Sequence, residues 1–217
     1  CKGLVEMSST FFYRKYEKNS RETSMQEVQE QYERFPYPIV PLAARVRRFD
    51  TFLMNYEAAV YAAFGSVHFA QAKPRILVAG AGTFEPCVVA LANPESEIIA
   101  VDISRSSLKR LRLHLMRHGL ANRVRLECRD LRDLDQSFGK FDYVIATGVL
   151  HHLPKPAEGL AKLSDLLAPN GVMRLMLYSQ QGRAQIYRIQ EFCDALEIRR
   201  PAILRWAMAK LPADHPM

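Results

Sequence analysis

Three carboxylates, a histidine pair and a glycine-rich turn are the residues of this 217-residue chain best suited by type and spacing to chemistry. The turn is Gly80-Ala81-Gly82-Thr83, reached from the apolar run Ile76–Ala79. Two glycines let the backbone bend sharply and let a ligand lie against it. Thr83 is suited to capping a following helix whose first turn holds Phe84, Glu85 and Pro86. A dinucleotide fingerprint, G-x-G-x-x-G, needs a third glycine at position 85, where Glu85 stands. A carboxylate there suits the positive end of a helix dipole but competes with pyrophosphate for the same donors. A cationic or zwitterionic nucleoside meets no such conflict. Many tight strand–helix turns also carry two glycines for packing alone.

The second carboxylate, Asp102, closes the run EIIAVD and lies 22 residues beyond Gly80. In nucleotide-binding α/β units an acid about 20 residues on accepts from the ribose hydroxyls, and a carboxylate can accept from both at once. The competing role is a helix cap, which Ser104 can also fill. Ile103 is placed to touch one side of a base. The third carboxylate, Asp130, follows RVRLEC and can accept from a purine's exocyclic amine, with Leu131 offering an apolar edge; alternatively it pairs with Arg129 or Arg132. Thr147 ends FDYVIAT and Gly148 follows it, where small residues leave room for the reacting part of a ligand. His151 is a weak candidate for a general base, being nearer that opening than His152; packing is the commoner role for such residues. Neighbouring side chains on a helix diverge, so the pair does not suggest a metal site, and no metal-ligand spacing occurs elsewhere.

Strands and helices must hold these residues in place. From residue 75 the pattern alternates: strands RILVAG, EIIAVD, RVRLEC, FDYVIAT and VMRLMLY, with helices PCVVALA, SSLKRLRLHLMRHG and PAEGLAKLSDLLA between them, and a turn at Pro169-Asn170-Gly171. Alternation with continuously apolar strands implies an α/β fold, a three-layer α/β/α sandwich around a mostly parallel sheet. Ligands of such sheets bind outside the carboxyl ends of the strands, where every candidate above falls. Residues 1–72 read as a helical extension, with SMQEVQEQYERF as one helix capped by Ser24, FPYPIVP as a break, and FDTFLMNYEAAVYAAFGSVHFA as a second helical stretch. Residues 73–180 form the core, and 181–217 a helical C-terminal segment including RAQIYRIQEFCDALEIRR and PAILRWAMAKL.

Composition sets outer limits. At 48% hydrophobic and 24% charged the chain supports one full-sized core. No apolar run reaches the ~20 residues needed to cross a bilayer, and no signal peptide is evident. The four cysteines, Cys1, Cys87, Cys128 and Cys193, form no C-x-x-C pair and read as reduced thiols of a cytoplasmic protein. The net charge is +7, and nine Lys/Arg between Arg105 and Arg132 face only Glu127 and Asp130. A solvated helix face is the favoured explanation; a nucleic-acid or acidic-partner surface is the other. The chain opens on Cys1 rather than Met and shows five strands, which suggests a piece of a longer protein.

The ordered set ILVAGAGTFEP, AVDIS, ECRDL, FDYVIATGVLHHLPKP and LLAPNGVMRLMLYS resembles a class I S-adenosylmethionine-dependent methyltransferase over about residues 74–179. It is most similar to bacterial members with a proline–tyrosine segment ahead of the domain, here YERFPYP. The resemblance implies a Rossmann-like fold and S-adenosyl-L-methionine as cofactor. Gly80, Ala81, Gly82 and Thr83 would then lie against its methionine part, with Glu85 compatible with its positive charges. Asp102 would bind ribose, Ile103 and Leu131 would touch adenine, Asp130 would meet its amino group, and Thr147 and Gly148 would line the methyl side. Two departures stand out: Val78 replaces the usual acid, and Phe84 replaces the third glycine, where its ring is expected to crowd the methionine tail or to shift it.

Methyl transfer from a sulfonium is an in-line displacement needing alignment and exclusion of water. A side-chain base is required only if the acceptor must lose a proton first. FPYP is expected to serve as a lid or as a rigid connector, with Tyr32 and Tyr37 within reach of the cofactor or acceptor; Tyr37 is a second weak catalytic candidate. TGVL stands where nitrogen-methylating members carry D/N-P-P-Y/F. The expected function is methylation of a small molecule or protein side chain. The alternatives are an RNA methyltransferase using the basic surface and a non-catalytic binding module. Glu85 disfavours an NAD-dependent oxidoreductase. Neither metal nor membrane is expected, and the exposed edge of the fifth strand could invite an oligomeric partner.

Overall fold

A computed structural model describes residues 25–179 and 181–197. Of these, residues 25–177 form one compact unit; residues 178, 179 and 181–197 belong to another. The first is built on a five-stranded, all-parallel sheet of β1 (Arg75–Ala79), β2 (Glu97–Asp102), β3 (Val124–Cys128), β4 (Phe141–Thr147) and β5 (Leu167–Met176). The spatial order is β3-β2-β1-β4-β5. The order reverses between β1 and β4, the switch point at which such sheets open a ligand crevice.

The apolar strand runs are explained by burial on both faces. Ile76, Val78, Ile98, Ala100, Tyr143 and Ile145 point to one layer, made by α3 (Tyr56–Phe64), α4 (Glu85–Ala92) and α5 (Arg105–Arg117). Leu77, Ala79, Ile99, Val101, Val144 and Ala146 point to the other, which includes Leu163 and Leu166 in and just after α6 (Pro156–Asp165). Each fully buried aliphatic side chain contributes on the order of 2 kcal/mol.

Ahead of the sheet lie α1 (Met25–Arg34) and α2 (Arg48–Leu53). The expected Ser24 cap lies outside the described residues, as does the expected PAILRWAMAKL helix. The expected single helical stretch over 49–70 is divided into α2, α3 and a 3-10 turn at Val67–Phe69. The break has a local cause. Asn55 caps α3 by accepting from the Ala58 N–H, and Gly65 ends it with φ 70°. Asn93 then ties α3 to α4: its Oδ1 accepts from Tyr56 N–H at 2.8 Å, and its Nδ2 donates to the Met54 and Val89 carbonyls.

A second correction concerns residues 166–171. The helix expected to run to 168 ends at Asp165, and Pro169-Asn170-Gly171 is no free turn but lies within β5. The register jumps there, from Phe141 opposite Leu167 to Tyr143 opposite Val172, with Asn170 at φ 62°. The three residues are a bulge in an edge strand, where proline's missing N–H does least harm. In the second unit, a 3-10 turn at Gln181–Arg183 leads into α7 (Ala184–Ala195), with the Arg183 guanidinium 3.8 Å from the Tyr178 ring centroid.

Candidate functional site

The glycine turn between β1 and α4 leans on the end of β2. Gly80 and Ala81 N–H both donate to the Val101 carbonyl, and Gly82 N–H donates to Asp102 Oδ2 at 2.7 Å. Gly80 and Gly82 adopt φ of 76° and 57°, where side chains are strained. Protein fills much of the space they leave. A Cβ on Gly80 would fall 2.0 Å from Val149 Cγ2, and one on Gly82 3.0 Å from the Tyr37 carbonyl oxygen.

Thr83 does not cap α4. It is fully buried, its hydroxyl donates to the Pro38 carbonyl, and Phe84 takes the cap position without a side-chain bond. The FPYP segment therefore lies on the glycine turn through Tyr37 and Pro38, a contact sequence spacing could not reveal. Phe84 does not lie in the turn's mouth as expected. Its ring packs edge-on against His114 of α5 and His118 just past its end, at centroid distances of 4.9 and 5.9 Å.

The N-terminus of α4 is poor in free donors. Glu85 is its first residue, Pro86 has no N–H, and Cys87 N–H donates to the Phe84 carbonyl. Enclosure by protein pushes Glu85 up to about 7, with the Thr147 hydroxyl and the Arg174 charge restraining the rise. The Thr147 hydroxyl is near that carboxyl without completing a hydrogen bond of normal geometry: its oxygen is buried without a partner. Tyr143 Oη and Arg174 Nε are buried and unbonded in the same way. Glu85, with Thr147 and Arg174 close to it and Tyr143 feeling the charges of both Arg174 and Glu85, makes a polar cluster at the start of α4. Arg174 escaped the sequence analysis, although a lone arginine in the apolar run VMRLMLY was its signal.

At the end of β2, Asp102 Oδ1 accepts from Ser104 N–H at 2.8 Å while Oδ2 holds Gly82. Each oxygen keeps a second lone pair. Ser104 is the cap of α5, accepting from Ser107 N–H, so the cap role weighed for Asp102 falls to Ser104. Burial raises the Asp102 pKa against the bonds from Ser104 and Gly82, and the nearby Glu33 charge adds to the rise. The Ile103 carbonyl accepts from Gln29 Nε2 of α1 at 3.2 Å.

Asp130 is differently engaged. It caps the 3-10 turn Leu131–Asp133 by accepting from Arg132 N–H, and the Arg132 guanidinium bonds both its oxygens at 2.8–3.2 Å. Burial would raise its pKa, but the Arg132 bonds outweigh this and hold it low. Leu131 is 6% exposed within the core, not an open apolar edge. At the end of β4, Gly148 turns with φ 68° and donates its N–H to the Met176 carbonyl. His151 and His152 lie on a 3-10 turn rather than an α-helix, and their rings meet edge-to-face 3.9 Å apart. His152 also faces Tyr32 of α1 at 6.2 Å. Among the described residues no cluster of His, Cys, Asp and Glu could hold a metal ion.

Residues 77–173 match a family model described as a methyltransferase domain. The chain is 38% identical over 151 residues to an uncharacterized protein of Synechococcus sp., covering 66% of this chain and 36% of that one. It is 35% identical over 81 residues to an uncharacterized protein of Rickettsia prowazekii, covering 36% and 32%. The chain thus spans about a third of the length of these two relatives. Among solved structures, the [4+2]-cyclase SpnF superposes with a TM-score of 0.51 at 18% identity, over 76% of this chain and 71% of that one. The plantazolicin methyltransferase BpumL, solved with a pentazolic desmethylPZN analog and SAH, gives 0.51 at 12% identity, over 85% and 69%. These two likenesses establish the fold. No helix among the described residues is long and apolar enough to cross a membrane.

Proposed function

We propose that this chain binds S-adenosylmethionine at the Gly80–Thr83 turn and Asp102, and is an active methyltransferase on a small molecule or protein side chain. The observation that carries this reading is the donor-poor start of α4, where Glu85, Pro86 and an occupied Cys87 N–H leave little for a pyrophosphate. An adenosyl sulfonium with an ammonium group needs no such donors. Bound there, it would supply the electrophilic methyl group.

The chain's own residues fit that guest. Asp102 has lone pairs to spare for two ribose hydroxyls, and Gly82 and Ser104 orient it. The unpartnered Thr147 hydroxyl and the Glu85 carboxyl would meet polar or cationic parts of the ligand beside the end of β4. Ile103 would touch the base. Asp130 would reach the adenine amino group only with lone pairs left over from Arg132. Residues 35–38, lying on the turn, would help exclude water. His151 and Tyr37 stay as candidates for contact with the acceptor. A cytoplasmic location and an oligomer through the β5 edge belong to the same proposal.

Titration calorimetry with S-adenosylmethionine, S-adenosylhomocysteine and NAD tests it. Binding of the first two and not the third is the expected result. Binding of NAD alone, or of none, overturns the reading.

A further inference from the structure

We infer that Glu33 of α1 is a positioning residue for ribose recognition: it clasps the start of α5 and so holds the bend that aims Asp102. The inference rests on the adenosyl ligand proposed above.

Three backbone amides open α5 without helical partners. Glu33 Oε1 accepts from Arg105 N–H at 2.5 Å and Oε2 from Ser106 N–H at 3.0 Å. Ser104 takes the third, Ser107 N–H. Two further ties run from α1 to the same bend. Gln29 Nε2 donates to the Ile103 carbonyl, and Ser106 Oγ donates to the carbonyls of Tyr32 at 3.2 Å and Glu33 at 2.8 Å. Every residue from Ile103 to Ser106 is therefore bonded to α1 or held by Asp102 and Ser104. The bend is only two residues long, between Asp102 and the first residue of α5. A shift of the helix start is thus a shift of the carboxylate.

Stability alone does not explain the clasp. The helix already has a local serine cap, whereas Glu33 comes from 72 residues away. It also brings a second negative charge toward Asp102, which opposes ionisation of that acid. A like-charge neighbour is unfavourable for folding, so its presence is accounted for by the placement it enforces. The arrangement has a consequence for selectivity. With the first three amides of α5 occupied and the Glu33 charge near Asp102, a ribose carrying a 2′-phosphate would find none of those amides free and two negative charges close by.

The test compares S-adenosylhomocysteine with its 2′-deoxyribose counterpart by calorimetry, because the ratio of their affinities reads the contact between Asp102 and the 2′-hydroxyl. Wild type is expected to prefer the ribose form by about 30-fold, as for a hydrogen bond to a charged group. In Glu33→Ala the ratio should collapse to about 3-fold or less, the deoxy form losing little. Glu33→Gln, which keeps one acceptor oxygen and the side-chain shape, should fall between and serves if the alanine variant folds poorly. Parallel weakening of both ligands with an unchanged ratio would mean a structural role and overturn the inference alone. Absence of any S-adenosylhomocysteine binding by wild type would overturn the adenosyl reading and this inference with it.

Discussion

Asp102 and Asp130 follow neighbouring parallel strands, and the sequence offers both as nucleoside-binding acids. The structure treats them as opposites. Asp102 is gripped by backbone: Gly82 N–H from one loop and Ser104 N–H from its own. Asp130 accepts one backbone amide, that of Arg132 in its own turn, and is otherwise gripped by a side chain, the half-exposed Arg132 guanidinium. Backbone amides belong to the framework and point the carboxylate where the sheet opens. A surface arginine two residues away can swing with its partner, and its amide makes the acid a local turn cap. The pKa shifts follow: burial lifts Asp102, whereas Arg132 draws Asp130 down despite its burial. An acid at a strand end becomes a candidate ligand group only when something rigid aims it.

The sharpest way to break that contrast is substitution. Asp102→Ala removes the proposed ribose acceptor and strands two inward amides, and should weaken S-adenosylhomocysteine binding at least about 100-fold. Asp130→Ala should change it by no more than about 3-fold. Equal losses in calorimetry would erase the distinction.

A third acid, Glu85, extends the comparison through pH. Its ordinary value is 4.5 and burial raises it to about 7, so the folded state holds a proton the unfolded state has released. Stability from this group is complete below pH 4.5 and is lost as pH rises to about 7. The loss is on the order of 3 kcal/mol. Glu85→Gln should abolish most of it, seen as a flatter dependence of urea midpoint on pH than wild type's.

The smallest effect separates the two aspartates by sign. Asp130 is held low, so its contribution, about 1 kcal/mol, is present at neutral pH and disappears as pH falls through its folded value. Asp102 is held high, so its contribution is present in acid and fades as pH rises past its folded value. Thermal melts of Asp130→Asn and Asp102→Asn against wild type from pH 3 to 7 should diverge from it in opposite senses. Parallel curves would contradict the directions argued above.

Much of the fold was legible because strands buried on both faces write themselves as apolar runs, and RILVAG, EIIAVD and FDYVIAT could hardly be anything else. The errors were local. Asn55, embedded in a helix-rich stretch, starts a helix instead of continuing one, because its carboxamide finds the Ala58 amide. Pro169-Asn170-Gly171 has the composition of a turn, and only pairing with β4 makes it a bulge. Thr83 has the right type and position for a cap, and the Pro38 carbonyl claims its hydroxyl first. Phe84 was expected in the crevice and found a place beside His114, since a ring gains more from the core than from a wet cleft.

The sequence by itself determined the parallel strands and the set of strand-end residues, since periodicity and glycine placement act over a few neighbours; the strand order, and with it the switch point between β1 and β4, came from the tertiary structure. Only the tertiary structure decided which of those residues face one another. Glu33 meets α5 across 72 residues, Tyr37 lies on Gly82, and Arg174 sits near Glu85. Such meetings depend on how separate elements dock, and docking follows from summed burial that no single stretch of chain encodes.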